Sequence, residues 1–127
     1  MSHPPGFRPE RLLTFIQVPP FPGQFHRLKL TDEDLRGIEI TILDDPRQGV
    51  VVAGTHGLRK MRFARRGSNA GKSGAYRIFY LHLEEYGTVF LWAIILKGEA
   101  ENLSAADREA IGRQVLRARQ ALERGVE

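Results

Sequence analysis

The sequence predicts one small α+β domain in which helices pack against a mostly antiparallel sheet of about four strands. The chain has 127 residues, which is the size of one ordinary domain. Its periodic segments follow in the order strand, helix, three strands, helix, and no repeat or interdomain linker separates them. We therefore treat residues 1–127 as a single domain.

The first strand and the first helix are separated by proline-rich sequence. Residues 12–18 are dense in apolar and β-branched side chains, which predicts a strand, and the cluster Pro19-Pro20-Phe21-Pro22-Gly23 predicts that it ends in a loop. Thr31 is followed by three acidic residues, a pattern typical of a helix start. Apolar residues then recur at helical spacing until a proline at 46, so a helix is predicted over residues 32–44.

The second half of the chain predicts three strands and a C-terminal helix. Residues 58–64 alternate with the two-residue period of a strand, which places Lys60 and Arg62 on one face and apolar side chains on the other. Strands are also predicted over residues 76–83 and 88–96, the last of them apolar on both faces and therefore central and buried. Ser104 with Asp107 predicts the start of a helix with one apolar stripe.

Positive charge is concentrated in the middle of the chain. Residues 46–83 hold eight basic residues and no acidic one, although the whole chain has a net charge of only +4. A segregated block of this kind favours binding of a polyanion such as RNA.

Composition excludes several other chemistries. The chain has no cysteine, so disulfides, thiol nucleophiles and thiolate metal sites are excluded. Its four histidines lack metal-ligand spacing, and we expect neither a metal nor another cofactor. Residues 67–73 resemble a phosphate-binding Walker loop, but the glycine spacing is one residue short and a strand follows where that motif requires a helix. Residues 1–10 lack the features of a secretory signal and the longest apolar stretch is about half a membrane span, so we expect a soluble cytoplasmic protein.

Arginine, lysine and tyrosine on adjacent strands are sufficient for RNA cleavage, because the substrate supplies its own nucleophile in the 2′-hydroxyl. The protein must remove a proton from that hydroxyl, neutralise the phosphate oxygens and protonate the departing 5′-oxygen. Crowding of cations would favour the neutral form of a lysine base. A passive strip that only grips phosphates remains the alternative at this point.

Three segments together resemble the RelE-type toxins of the HigB branch. They are residues 54–62 (GTHGLRKMR), 71–80 (GKSGAYRIFY) and 97–104 (KGEAENLS), in this order. The resemblance covers about residues 28–120, and residues 1–27 match poorly. It implies a ribosome-dependent endoribonuclease that cleaves messenger RNA and is inhibited by a cognate antitoxin with a helix-turn-helix domain.

The resemblance also implies roles for particular residues. Lys60 and Arg62 match the basic pair that acts as base and transition-state stabiliser, and Arg77 matches the arginine that clamps the scissile phosphate. Lys72 matches a loop lysine counted with this catalytic group. Further RNA contacts are expected from Arg59, Arg65, Arg66, Tyr80 and Lys97, with Tyr80 stacking on a base unless it packs in the core.

One departure from the family concerns residues 94–96, which are Ile-Ile-Leu where many relatives have an aromatic residue. The role of that ring therefore cannot be transferred to this chain. Two other functions stay open: inhibition of DNA gyrase, as in the ParE relatives, and non-catalytic binding of RNA or the ribosome.

Overall fold

The computed structural model describes residues 12–65, 75–98 and 103–125. Within them the chain forms a five-stranded sheet with the strand order β1-β5-β4-β3-β2. Only the β1–β5 pair is parallel; the other neighbouring strands are antiparallel. In chain order the elements are β1 (Thr14–Gln17), α1 (Phe21–Arg27), α2 (Asp32–Asp44), β2 (Val50–Val51), β3 (Arg59–Ala64), β4 (Ala75–Leu83), β5 (Thr88–Leu96) and α3 (Ala105–Gly125). The predicted α+β architecture is confirmed.

Helices cover both faces of the sheet and create two apolar cores. The α2 face carries Met61 and Phe63 of β3, which pack with Ile38 and Ile42 of α2 and with residues of α1. The opposite face, here called the α3 face, carries side chains that pack against Val115 and the rest of the apolar stripe of α3. Strands β4 and β5 are therefore buried on both sides, as predicted for residues 88–96.

Helix α2 begins and ends at the predicted residues, and its first turn is capped. The Thr31 hydroxyl accepts a hydrogen bond from the Asp34 N–H (3.2 Å), and the Asp34 carboxylate accepts one from the Thr31 N–H (2.8 Å). This reciprocal arrangement satisfies two N–H groups that a helix start otherwise leaves without partners. The acidic residues of the first turn are also favourable at the positive end of the helix dipole.

Helix α3 begins after a similar pair. The Asp107 N–H donates to the Ser104 hydroxyl (3.0 Å), and the Ser104 N–H donates to the Asp107 carboxylate (3.4 Å). The predicted apolar stripe, formed by Ile111, Val115, Ala118 and Leu122, packs against the α3 face of the sheet. No helix within the described ranges is long and apolar enough to cross a membrane.

Two elements differ from the sequence prediction. A loop was expected after Pro19, but helix α1 forms there, with Pro22 in its first turn and Phe21 fully buried. The Gln24 side chain of α1 accepts a hydrogen bond from the Ile94 N–H (2.8 Å), so α1 covers β5 where β1 no longer pairs with it. The two-residue strand β2 was also not predicted, and it makes the sheet one strand wider than expected.

Candidate active site

The α3 face of the sheet brings together three predicted catalytic residues. Arg62 of β3 pairs directly with Arg77 of β4, and Lys60 pairs with Phe79 two positions further along the same strands. Residues paired in this way have Cβ atoms about 4.5–5.5 Å apart. Because Met61 and Phe63 pack on the α2 face, Lys60 and Arg62 lie on the opposite one. The strand alternation expected from the sequence is therefore confirmed.

A third strand is followed by a further cation at the same end of the sheet. Ile95 of β5 pairs with Arg77 on its other side, and Lys97 follows β5 with its N–H donating to the Ala75 carbonyl (3.0 Å). Lys97 is exposed. Its backbone is thus fixed beside β4, at the end of the sheet where Arg62 and Arg77 lie.

Lys60 lines a recess of about 230 Å³ beside the start of α3. Other lining residues include the β2 valines, Phe79, Leu103 and Arg108. The Arg108 guanidinium donates to the Leu103 carbonyl (2.6 Å), which fixes a second cation next to Lys60. Sequence reasoning placed no functional residue at position 108, because no local pattern shows that α3 folds back onto the Lys60 end of the sheet.

Tyr80 is not available to stack on a base, which corrects one expected RNA contact. Its side chain is fully buried on the α2 face. Its hydroxyl lies within hydrogen-bonding distance of the Pro46 carbonyl (2.9 Å) and donates also to the Gln48 carbonyl. Burial raises the pKa of Tyr80 to about 12. Tyr80 is therefore a core residue that holds the turn before β2.

Arg59 also belongs to this structural arrangement. It pairs with Tyr80 across β3 and β4, and its guanidinium donates to the carbonyls of Arg47 (2.8 Å) and Gly49 (3.0 Å). Arg59 therefore does not lie on the same face as Lys60 and Arg62, because consecutive residues of a strand point to opposite faces. The RNA contact expected from Arg59 is thus separated from theirs.

Arg65 connects the end of β3 to the start of α2. Its guanidinium forms an ion pair with the Asp34 carboxylate, with an Nη2–Oδ2 distance of 3.1 Å and a hydrogen bond from Nε to Oδ1 of 3.2 Å. Burial on its own would raise the pKa of Asp34, but hydrogen bonds from Thr31 and Arg65 outweigh it and lower that pKa. The remaining predicted site residues, Arg66 and Lys72, lie outside the described residues.

A second group of titratable side chains lines a separate recess. Burial lowers the pKa of His82, which lies with Arg47, Arg59 and Glu84 around a separate recess. In the described part of the chain, no three histidine, aspartate or glutamate side chains are grouped as metal ligands.

Comparison with known proteins identifies the fold. No family model matches the sequence. The structure is similar to that of the Escherichia coli toxin RelE, solved in the free state as a double arginine-to-alanine mutant. The two chains are 18% identical, the match covers 83% of this chain and 98% of that one, and the TM-score is 0.51.

The chain has a RelE-like fold. The sequence resemblance is thereby confirmed at the level of architecture. Because an identity of 18% establishes only the fold, function has to be argued from the site. Within this RelE-like fold, Lys60, Arg62 and Arg77 are the expected catalytic residues that the described structure brings to one surface.

Proposed function

We propose that this protein is the toxin of a bacterial toxin–antitoxin pair, and that it cleaves messenger RNA on the ribosome without a metal ion. The observation that carries the proposal is the placement of Lys60, Arg62 and Arg77 on one face of two adjacent strands. Cations that only neutralise RNA can lie almost anywhere on a surface. Arg62 paired with Arg77, with Lys60 on the same face beside a recess, suits a single phosphodiester better.

Each of the three side chains has a task in cleavage by the 2′-hydroxyl. Lys60, as the neutral amine, takes the proton of that hydroxyl and becomes an ammonium group, and the 2′-oxygen then attacks phosphorus to give a cyclic phosphate. Arg62 and Arg77 donate hydrogen bonds to the non-bridging oxygens as negative charge grows on them. The bond to the 5′-oxygen breaks, and that oxygen takes a proton from solvent water. The ribosome holds the messenger RNA so that the hydroxyl and phosphate are in line.

The proposed partners follow from the toxin role. A cognate antitoxin, expected to carry a helix-turn-helix domain, inhibits the protein in the cytoplasm. The RelE-like fold and the name of its structural neighbour, a toxin, support this part of the proposal.

The test is cleavage of messenger RNA during in vitro translation, with new 5′ ends mapped. Replacing Lys60, Arg62 or Arg77 by alanine should slow cleavage by about 10²–10³-fold, the usual effect of losing one transition-state stabiliser. Arg36→Ala is the matched control, because Arg36 is exposed on α2 and thus on the opposite side of the sheet. It should cleave at the wild-type rate.

Lys60→Arg separates a base from a phosphate contact. Arginine keeps the positive charge but does not lose a proton under these conditions, so a base would be lost while phosphate neutralisation would remain. We expect Lys60→Arg to be as slow as Lys60→Ala. A fast Lys60→Arg variant would assign Lys60 to binding alone.

The wild-type protein distinguishes the other two functions. RNA retention without any cuts by the wild type would indicate a non-catalytic binding module. A supercoiling defect without RNA cuts would instead indicate a gyrase inhibitor.

A further inference from the structure

A second cavity lies directly beside the Lys60 recess, between the sheet and the first half of α3. Its volume is about 370 Å³, within the range of small-ligand pockets. Its apolar walls include Phe79, Trp92 and Ile95. Two of these are aromatic, and aromatic side chains are the usual stacking partners of an unpaired base.

One polar group in this cavity has a fixed orientation. The Gln24 Oε1 accepts a hydrogen bond from the Ile94 N–H (2.8 Å), so the amide nitrogen is the other end of the side chain. No residue in the described ranges accepts a hydrogen bond from that nitrogen, and Gln24 lines the cavity. The side-chain amide of Gln24 therefore offers two N–H donors to a ligand.

An acceptor lies on the α3 side of the same cavity. Asp107 lines it, and its carboxylate is only weakly engaged by the Ser104 N–H, at 3.4 Å. Gln114, two helical turns further along α3, also lines the cavity. Apolar walls with a donor on one side and an acceptor on the other match the faces and the edge of a nucleobase.

The cavity is continuous with the cationic surface. Phe79 and Leu103 line both the cavity and the Lys60 recess, and Ile95 is the cross-strand neighbour of Arg77. We propose that this cavity binds one unpaired base of the RNA strand whose phosphate is held by Lys60, Arg62 and Arg77. This inference rests on the proposed function and extends it to base selection.

Binding can be measured without cleavage, because Trp92 is the only tryptophan of the chain and lines the cavity. Nucleoside monophosphates should change its fluorescence saturably, whereas inorganic phosphate and ribose 5-phosphate should not. Ala110→Leu places a larger side chain in the cavity wall and should weaken the nucleotide response about tenfold or more. Equal responses to ribose 5-phosphate and the nucleotides would overturn the base pocket.

Base selection is tested with Gln24→Glu. This substitution keeps the oxygen that accepts from Ile94 but replaces the N–H donors with an acceptor. Guanine presents two adjacent donors, a ring N–H and an amino group, so the variant should shift cleavage towards guanine by about tenfold, the effect of one base-edge contact. Gln120→Glu is the control, because it makes the same change at an exposed position of α3.

The two proposals fail in different ways. If Gln24→Glu and Ala110→Leu cleave with the wild-type base preference, the pocket inference is wrong and the nuclease proposal stands. If the wild type does not cleave ribosome-bound RNA, the nuclease proposal is wrong, and the fluorescence titrations still decide whether the cavity binds a base.

Discussion

Replacing Tyr80 by phenylalanine should destabilise the protein without affecting its chemistry. The ring is fully buried, and its hydroxyl hydrogen-bonds the carbonyls of Pro46 and Gln48. Phenylalanine fills the same space but leaves these partly buried carbonyls without that donor. The expected loss is about 1–3 kcal/mol of unfolding free energy at pH 7.

The difference between wild type and Tyr80→Phe should also depend on pH. In the folded protein the pKa of Tyr80 is raised to about 12 from the usual 10.0, so the folded state holds the proton more tightly than the unfolded state does. The stabilising contribution of the hydroxyl is therefore complete below pH 10 and decreases as the pH rises towards 12. A pKa difference of this size corresponds to about 3 kcal/mol, enough to cancel the advantage of tyrosine.

Urea unfolding followed by Trp92 fluorescence would measure both effects. Cleavage per folded molecule should equal that of the wild type. If Tyr80→Phe is as stable as the wild type but cleaves RNA at least tenfold more slowly, our assignment of Tyr80 to the core is wrong and the ring acts on the substrate.

Two further substitutions test the packing around the site. A Cβ at Gly112 would lie 2.8 Å from the Gly54 carbonyl oxygen, so Gly112→Ala should displace α3 and lower the urea midpoint of unfolding, at a cost of about 1–3 kcal/mol. Gly125→Ala is the control, because a Cβ there meets no atom within 4 Å. An unchanged midpoint for Gly112→Ala would contradict the close packing. Asp34→Asn should cost about 1 kcal/mol at pH 7 by weakening the α2 cap and the Arg65 ion pair. Because the pKa of Asp34 is lowered in the folded state, the stability difference between wild type and Asp34→Asn should vanish as the pH falls through the acid range. A stability difference that persists at low pH would show that the Asp34 charge is not its cause.

Elements with local signals were predictable from the sequence. The bounds of α2 followed from Thr31, the acidic first turn and the proline at 46, all of which act within a few residues of the helix ends. The faces of β3 followed from its two-residue alternation. In contrast, the pairing of Arg62 with Arg77 is a contact between two strands, which no local pattern shows.

The elements that were missed depend on distant contacts. Helix α1 forms in proline-rich sequence because Phe21 is buried and Gln24 hydrogen-bonds β5, seventy residues away. Strand β2 has only two residues, and Gly49 precedes it with a φ of +85°, where an added Cβ would lie 2.5 Å from the Lys60 carbonyl oxygen. Such a close approach arises only in the folded sheet, and the β-propensity of the residues does not predict it.

The alternation of a strand also limits which cations can share a site, and this limit was available from the sequence. Tyr80 is three residues from Arg77, so in a regular strand these two side chains lie on opposite faces. Arg59 is adjacent to Lys60, so these two also lie on opposite faces. On the α2 face, the Tyr80 hydroxyl and the Arg59 guanidinium hydrogen-bond the turn before β2, and this turn positions β3. The α3 face is then left to present Lys60 and Arg62 beside a recess. A one-residue shift of β3 would exchange the two faces and bury the cations, so the residues that fix its register are as necessary to the proposed reaction as the cations themselves.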